Sequence, residues 1–262
     1  MADQVWQLVE GDGPIVAAAI HDGHDLRQEV AALMALSDAE RLREEDPYTG
    51  SWTEVAPVRL VGRRSRFEVD LNRPREKAIY ATPADAWGLN VWTDPLPPAL
   101  VARSLEEYDA FYVELSRLLT GRIQRFGGVL VLDFHTYNHR REGPDGPSAE
   151  PLDNPEVNIG TASLDRERWA PLVDRFISDL RGFNFLGRHL DVRENVKFQG
   201  GNMSRWIHKA FPTQACSLSI EFKKFFMDEW SGTLDTNIHE EVTRALQSTL
   251  PGLREELAGV ID

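Results

Sequence analysis

The chain has 262 residues, enough to bury one large core without staples. Its 42 acidic against 29 basic residues give a formal charge of −13, which argues against nucleic acid or an anionic membrane as a partner and obliges any anionic ligand to meet local arginines. The single cysteine, Cys216, lies in an apolar stretch and reads as a structural thiol of a reducing, cytoplasmic compartment.

The first residues, MADQVWQLVEGDG, lack a basic segment followed by an apolar core, and no run approaches the roughly 18 apolar residues of a membrane span. Residues 15–20 (IVAAAI) then read as a buried strand and 25–36 (DLRQEVAALMAL) as a helix, an α/β signature. Ser37 and Glu40 form a capping box opening a second helix that stops before Pro47, which leaves Glu44, Glu45 and Asp46 near a helix end. Residues 58–62 (VRLVG) and 66–71 (RFEVDL) alternate like adjacent strands, and a proline-rich break follows at 94–98.

The strongest helical pattern spans 104–126, with Ser104 and Glu107 as its capping box, and feeds a strand at 129–132. Residues 141–158, rich in Pro, Gly and acids, read as a long functional or mobile loop. A helix at 166–180, a strand at 191–198, a last buried strand at 215–222 and a helix at 236–257 broken at Pro251 complete the chain. With no internal repeat or boundary, a single domain over residues 1–262 is expected.

Three apolar runs end at chemically useful side chains: His21, His135 and Glu221. Neutral imidazole is a common zinc ligand, and a catalytic zinc needs three protein ligands plus an open position. The third ligand is open among His24, three residues after His21, and Glu45 or Asp46. Asp133, two residues before His135 on the same strand face, is placed to orient that imidazole. Glu221 in an apolar run is expected to have a raised pKa, as a general base near neutral pH requires; the competing role is a salt bridge to Lys223, Lys224 or an arginine.

Five arginines between positions 63 and 75 stand out in an acidic chain. Most suit surface pairing, but Arg66, Asn72 and Arg73 lie in or beside the alternating segment and suit a carboxylate. The Gly200–Gly201 pair reads as a loop shaping a pocket, with Arg205 as a further carboxylate anchor. The aromatic set Trp206, Phe211, Phe222, Phe225, Phe226 and Trp230 reads as core.

The order of SRFEVDLNRP, LDFHTYN, NPEVNIGT, FQGGNMSRWIH and IEF, after a His-x-Gly near the N-terminus, resembles the N-formylglutamate amidohydrolase family over about residues 15–230. That resemblance implies a three-layer α/β/α fold with a mixed, mostly parallel sheet of zinc-peptidase type. It further implies one zinc on His21, His135 and an acid of the 45–46 pair, Glu221 as the catalytic carboxylate, and Asn72–Arg73 as the grip on a substrate carboxylate, with Arg66 nearby. Position 24 departs from the His-x-x-Glu pair of the peptidase branch, which moves the carboxylate ligand to Glu45 or Asp46. The expected activity is cleavage of an N-acyl amino acid, with N-formylglutamate as the example; a carboxypeptidase-like hydrolase of a short peptide or cell-wall fragment and a metal-free binding module for an acidic metabolite are the alternatives.

Overall fold

The apolar runs lie side by side in one sheet in the computed structural model, which describes residues 5–261. Its strands are β1 (Trp6–Val9), β2 (Ile15–Ala19), β3 (Val58–Gly62), β4 (Val129–Tyr137), β5 (Val157–Gly160), β6 (Val192–Glu194) and β7 (Ala215–Lys223). They pair in the order β1-β3-β2-β4-β7-β5-β6. β3, β2, β4 and β7 run parallel, β1 and β5 are antiparallel to β3 and β7, and β6 is parallel to β5. The expected mixed, mostly parallel sheet is therefore present.

Among the described residues, seven α-helices flank it: α1 (Gln28–Ala31), α2 (Asp38–Glu44), α3 (Thr49–Trp52), α4 (Pro98–Phe126), α5 (Ala170–Gly182), α6 (Asn202–Ala210) and α7 (Thr236–Ile261). Because successive strand residues face opposite sides, β4 serves two cores. Val129 and Val131 pack with α4 and α6, while Leu130, Leu132 and Phe134 pack with α5 and α7. Burial on both faces explains why β2 and the start of β4 read as unbroken apolar runs, and why β7 admits only the small Ser217 and Ser219 before Glu221. Trp52 of α3 is fully buried against Phe134, Phe222 and Phe226.

The capping box of α2 is present as expected, with Ser37 and Glu40 exchanging hydrogen bonds. Elsewhere the chain departs from its local pattern for identifiable reasons. Only one turn of the 25–36 segment is helical, because Arg27 beside it is drawn into a buried ion pair with Glu68 and a hydrogen bond to Ser104. That bond also removes Ser104 from capping; the helix starts two turns earlier, at Pro98, where a missing N–H costs nothing.

Residues 66–71 form turns rather than a strand, their alternation arising from apolar residues facing the core and Glu68 and Asp70 facing buried cations. β1 and β5, unforeseen from the sequence, are held by their antiparallel partners, and the strand expected over 191–198 is limited to β6. α7 runs through Pro251 without ending, held by buried Leu246, Leu250, Leu253 and Leu257. Among the described residues, no helix is long and apolar enough to cross a membrane.

Candidate metal centre and substrate cleft

The C-terminal ends of β2, β4 and β7 open on one side of the sheet, where open α/β sheets bind ligands. His21 follows β2 by two residues, while His135 lies within β4, which runs five residues beyond its expected end. Glu221 of β7 is the register partner of His135, so the two side chains share a sheet face. Asp46 arrives from the end of α2, its N–H donating to the His21 carbonyl at 3.0 Å.

His21, Asp46 and His135 are buried, and a ligand atom from each lies within 4.8 Å of the others. Both imidazoles turn Nδ1 toward Asp46 Oδ2, at 3.4 Å for His21 and 3.0 Å for His135. Their other nitrogens are held from behind: His21 Nε2 lies 2.7 Å from Asp70 Oδ1 and His135 Nε2 lies 2.9 Å from Asp133 Oδ1. Thr136 Oγ1 donates to Asp46 Oδ1 at 2.9 Å, leaving Oδ2 for the centre. Burial pushes Asp46 up, but the two imidazoles hold it well below the usual carboxylate range. His135 goes the other way: burial disfavours its charge, yet Asp133 and Asp46 hold it well above the ordinary imidazole value.

This donor set fits a divalent cation. His21 Nδ1 is buried without a hydrogen-bond partner, and Asp70 orients that ring so that Nδ1 faces Asp46, while Asp133 meets the far side of His135 as a close charge contact. The surrounding acids favour positive charge at the centre, which the raised His135 pKa reflects. Two imidazoles and a carboxylate suit zinc.

Glu45, adjacent in sequence to Asp46, faces elsewhere. Its buried carboxylate meets His24 Nδ1 at 2.5 Å, the Ser65 hydroxyl, and Arg41 at 3.5 Å. His24 is thereby committed to Glu45 and Arg41 rather than to the His21 cluster. Lys224 sets this turn by donating to the carbonyls of Arg43, at 2.5 Å, and Glu45, at 2.7 Å. Its ammonium is thus engaged by backbone rather than by Glu221. Burial, ahead of the nearby charges, pushes Glu221 up to about 7.

A cleft of about 460 Å³ covers the triplet and Glu221. Arg66, Asn72, Arg73 and Arg205 all line it. Asp70 organises this wall: besides His21 it takes Arg66 at 2.9 Å, Arg73 at 3.5 Å and the hydroxyl of Tyr80. Burial opposes its charge, but Arg66 and His21 hold Asp70 well below the usual range. A carboxylate in an otherwise apolar-alternating segment was the sequence signal for this residue.

Asn72 bridges two parts of the site. Its Oδ1 accepts from the Met203 N–H of α6 at 2.9 Å, and its Nδ2 lies 3.3 Å from His135 Nε2. A Cβ on Gly201 would sit 2.1 Å from Asn72 Nδ2, so only glycine permits this approach. The Gly-Gly loop does shape the pocket, but α6 follows it at once, where the sequence suggested continued loop. Arg205 donates to the Gly200 carbonyl at 2.6 Å. Of the remaining arginines, Arg75 pairs with Asp109 at the surface, while Arg64 is buried against Glu68 and Glu107.

Sheet and cleft together define an α/β protein of the amide-hydrolysing class, because the family model described as N-formylglutamate amidohydrolase matches residues 13–227. The chain belongs to the N-formylglutamate amidohydrolase family, whose members are hydrolases acting on amide bonds. The solved N-formylglutamate amidohydrolase of Ralstonia eutropha is similar in fold, with a TM-score of 0.74 at 21% identity over 95% of this chain and 96% of that one. A gene product of Agrobacterium tumefaciens gives 0.69 at 18% identity over 97% and 96%. A metallo-carboxypeptidase of Burkholderia cenocepacia gives 0.38 at 12% identity over 92% of this chain and 56% of that one. No curated protein matches the chain.

Proposed function

We propose that this chain hydrolyses an N-acyl amino acid, with N-formyl-L-glutamate as the first candidate, to the acid and the free amino acid. The observation that carries this reading is the convergence of His21 Nδ1, His135 Nδ1 and Asp46 Oδ2 beneath an arginine-lined cleft, in a member of this family. His21, Asp46 and His135 would hold one zinc or similar divalent ion. Such an ion supplies a Lewis acid that polarises the amide carbonyl and acidifies water.

The protein's own groups do the rest. Glu221 takes a proton from the attacking water as the C–O bond forms, and returns it to the amine nitrogen as the C–N bond breaks. Asp70 fixes the His21 imidazole so that Nδ1 faces the ion, and Asp133 meets the far side of His135. Asn72, Arg73 and Arg205 offer donors to the substrate carboxylate, and Arg66 adds positive charge on the same wall.

The direct test is formate release from N-formyl-L-glutamate by zinc-loaded protein, compared with the same protein after chelation. Release that depends on the ion supports the reading; no release from any N-formyl amino acid overturns it. Arg73→Ala is expected to raise KM by about 30-fold, the scale of one charge-assisted hydrogen bond, with kcat within about three-fold of the parent. An unchanged KM would mean that the carboxylate is held elsewhere.

A further inference from the structure

We propose that Lys197, with Arg141 beside it, forms a second anion subsite in this cleft that takes the side-chain carboxylate of a dicarboxylic N-acyl amino acid. This rests on reading the cleft as the amide-hydrolysing site. Both residues line the cleft, yet neither belongs to the wall organised by Asp70. Arg141 comes from the loop after β4 and Lys197 from the segment after β6.

Among the described residues Lys197 makes no direct ion pair, although Asp153 lies near enough to attract its charge. Its ammonium donates to the neutral Asn154 Oδ1 at 2.5 Å and lies 5.3 Å from the Tyr137 ring centroid and 5.8 Å from that of Phe198. Arg141 is fixed by two contacts to Glu44, at 3.2 and 3.1 Å, while half of its side chain stays exposed. Burial lowers the Lys197 pKa and repulsion from Arg141 lowers it further, against a smaller attraction from Asp153, so an anion between the two cations would relieve their repulsion.

The position of Lys197 is built rather than incidental. Asn158 of β5, buried, accepts from the backbone N–H of Lys197 at 2.8 Å and donates to the Phe198 carbonyl at 2.8 Å. The same Asn158 is the register partner of Glu221. One strand residue therefore sets the loop bearing the ammonium relative to the carboxylate proposed to move the proton. A partly desolvated cation, fixed by its backbone, rests over aromatic rings and faces a cleft, which are the conditions under which a charge-assisted bond to a ligand anion is strong.

Calorimetric titration of the zinc-loaded protein with glutarate and with butyrate tests this. Glutarate is expected to bind about 30-fold more tightly than butyrate, and Lys197→Met or Arg141→Met to reduce that ratio to about three-fold or less, with Lys197→Arg keeping most of it. Equal affinities in the parent protein, or a ratio untouched by Lys197→Met, would overturn the subsite. The proposed activity is judged separately by formate release. Absence of release with a Lys197-dependent glutarate preference would sink the activity and leave the subsite standing; release with no such preference would do the reverse.

Discussion

Glu221→Gln is expected to lower kcat by about a thousand-fold while zinc stays bound, since general acid–base catalysis contributes about 10²- to 10⁴-fold. The substitution keeps shape and hydrogen-bonding size but removes the carboxylate proposed to accept a proton. Glu221 sits on β7 opposite His135, and burial raises its pKa to about 7. A cation at the neighbouring centre would pull that value down. As the proposed base it would work deprotonated, so kcat/KM is expected to fall as pH drops through its pKa. The acidic limb of the parent profile is therefore expected at or below about pH 7 and is expected to vanish from the residual activity of Glu221→Gln. Full activity in the variant would remove Glu221 from the chemistry.

His135→Ala should release the metal, and Asp46→Asn should do the same, whereas Glu45→Gln should retain it. A four-ligand zinc site is worth about 10–16 kcal/mol, so one ligand is worth about 3 kcal/mol, or on the order of a hundred-fold in affinity. Asp70→Asn, which leaves the ligand set intact but removes the carboxylate that orients His21 and also holds Arg66 and Arg73, is expected to weaken metal binding by about 10- to 100-fold. The measurement is zinc per chain after dialysis against a weak chelator. Normal stoichiometry in His135→Ala would break the ligand set. Loss of zinc from Glu45→Gln with retention in Asp46→Asn would move the third ligand to Glu45.

Much of this architecture is readable along the chain, for reasons visible in particular residues. β2, β4 and β7 are buried on both faces, so β2 and the start of β4 are unbroken apolar runs, β7 is interrupted only by the small Ser217 and Ser219, and the large polar residues that follow stand out. Segments whose structure depends on distant partners are not readable. Residues 66–71 mimic a strand because Glu68 and Asp70 alternate with Phe67 and Val69, yet those acids face Arg27 and His21 from other parts of the chain, besides Arg66 of the same segment. β5 hides in a proline-rich, acidic stretch and exists through pairing with β7. α6 hides behind two glycines and is capped by Asn72, 131 residues away.

The site divides along the same line. His21, His135, Glu221 and the Asn72–Arg73 pair are legible because each follows or interrupts an apolar pattern. Lys224 was legible only as a possible partner of Glu221; nothing local shows that its ammonium would instead hold the carbonyls of Arg43 and Glu45.

By itself, then, the sequence determined the α/β class, the three parallel core strands and the residue types gathered at their ends. Between Glu45 and Asp46 it could not choose, since the two carry the same chemistry one position apart. Tertiary structure decided which way each points. At Glu45 the backbone leaves the helix for an extended conformation, φ −79° and ψ 177°, and successive extended residues face opposite sides. With Lys224 gripping the turn and the Asp46 N–H bonded to His21, Glu45 is turned to His24 and Asp46 to the two imidazoles.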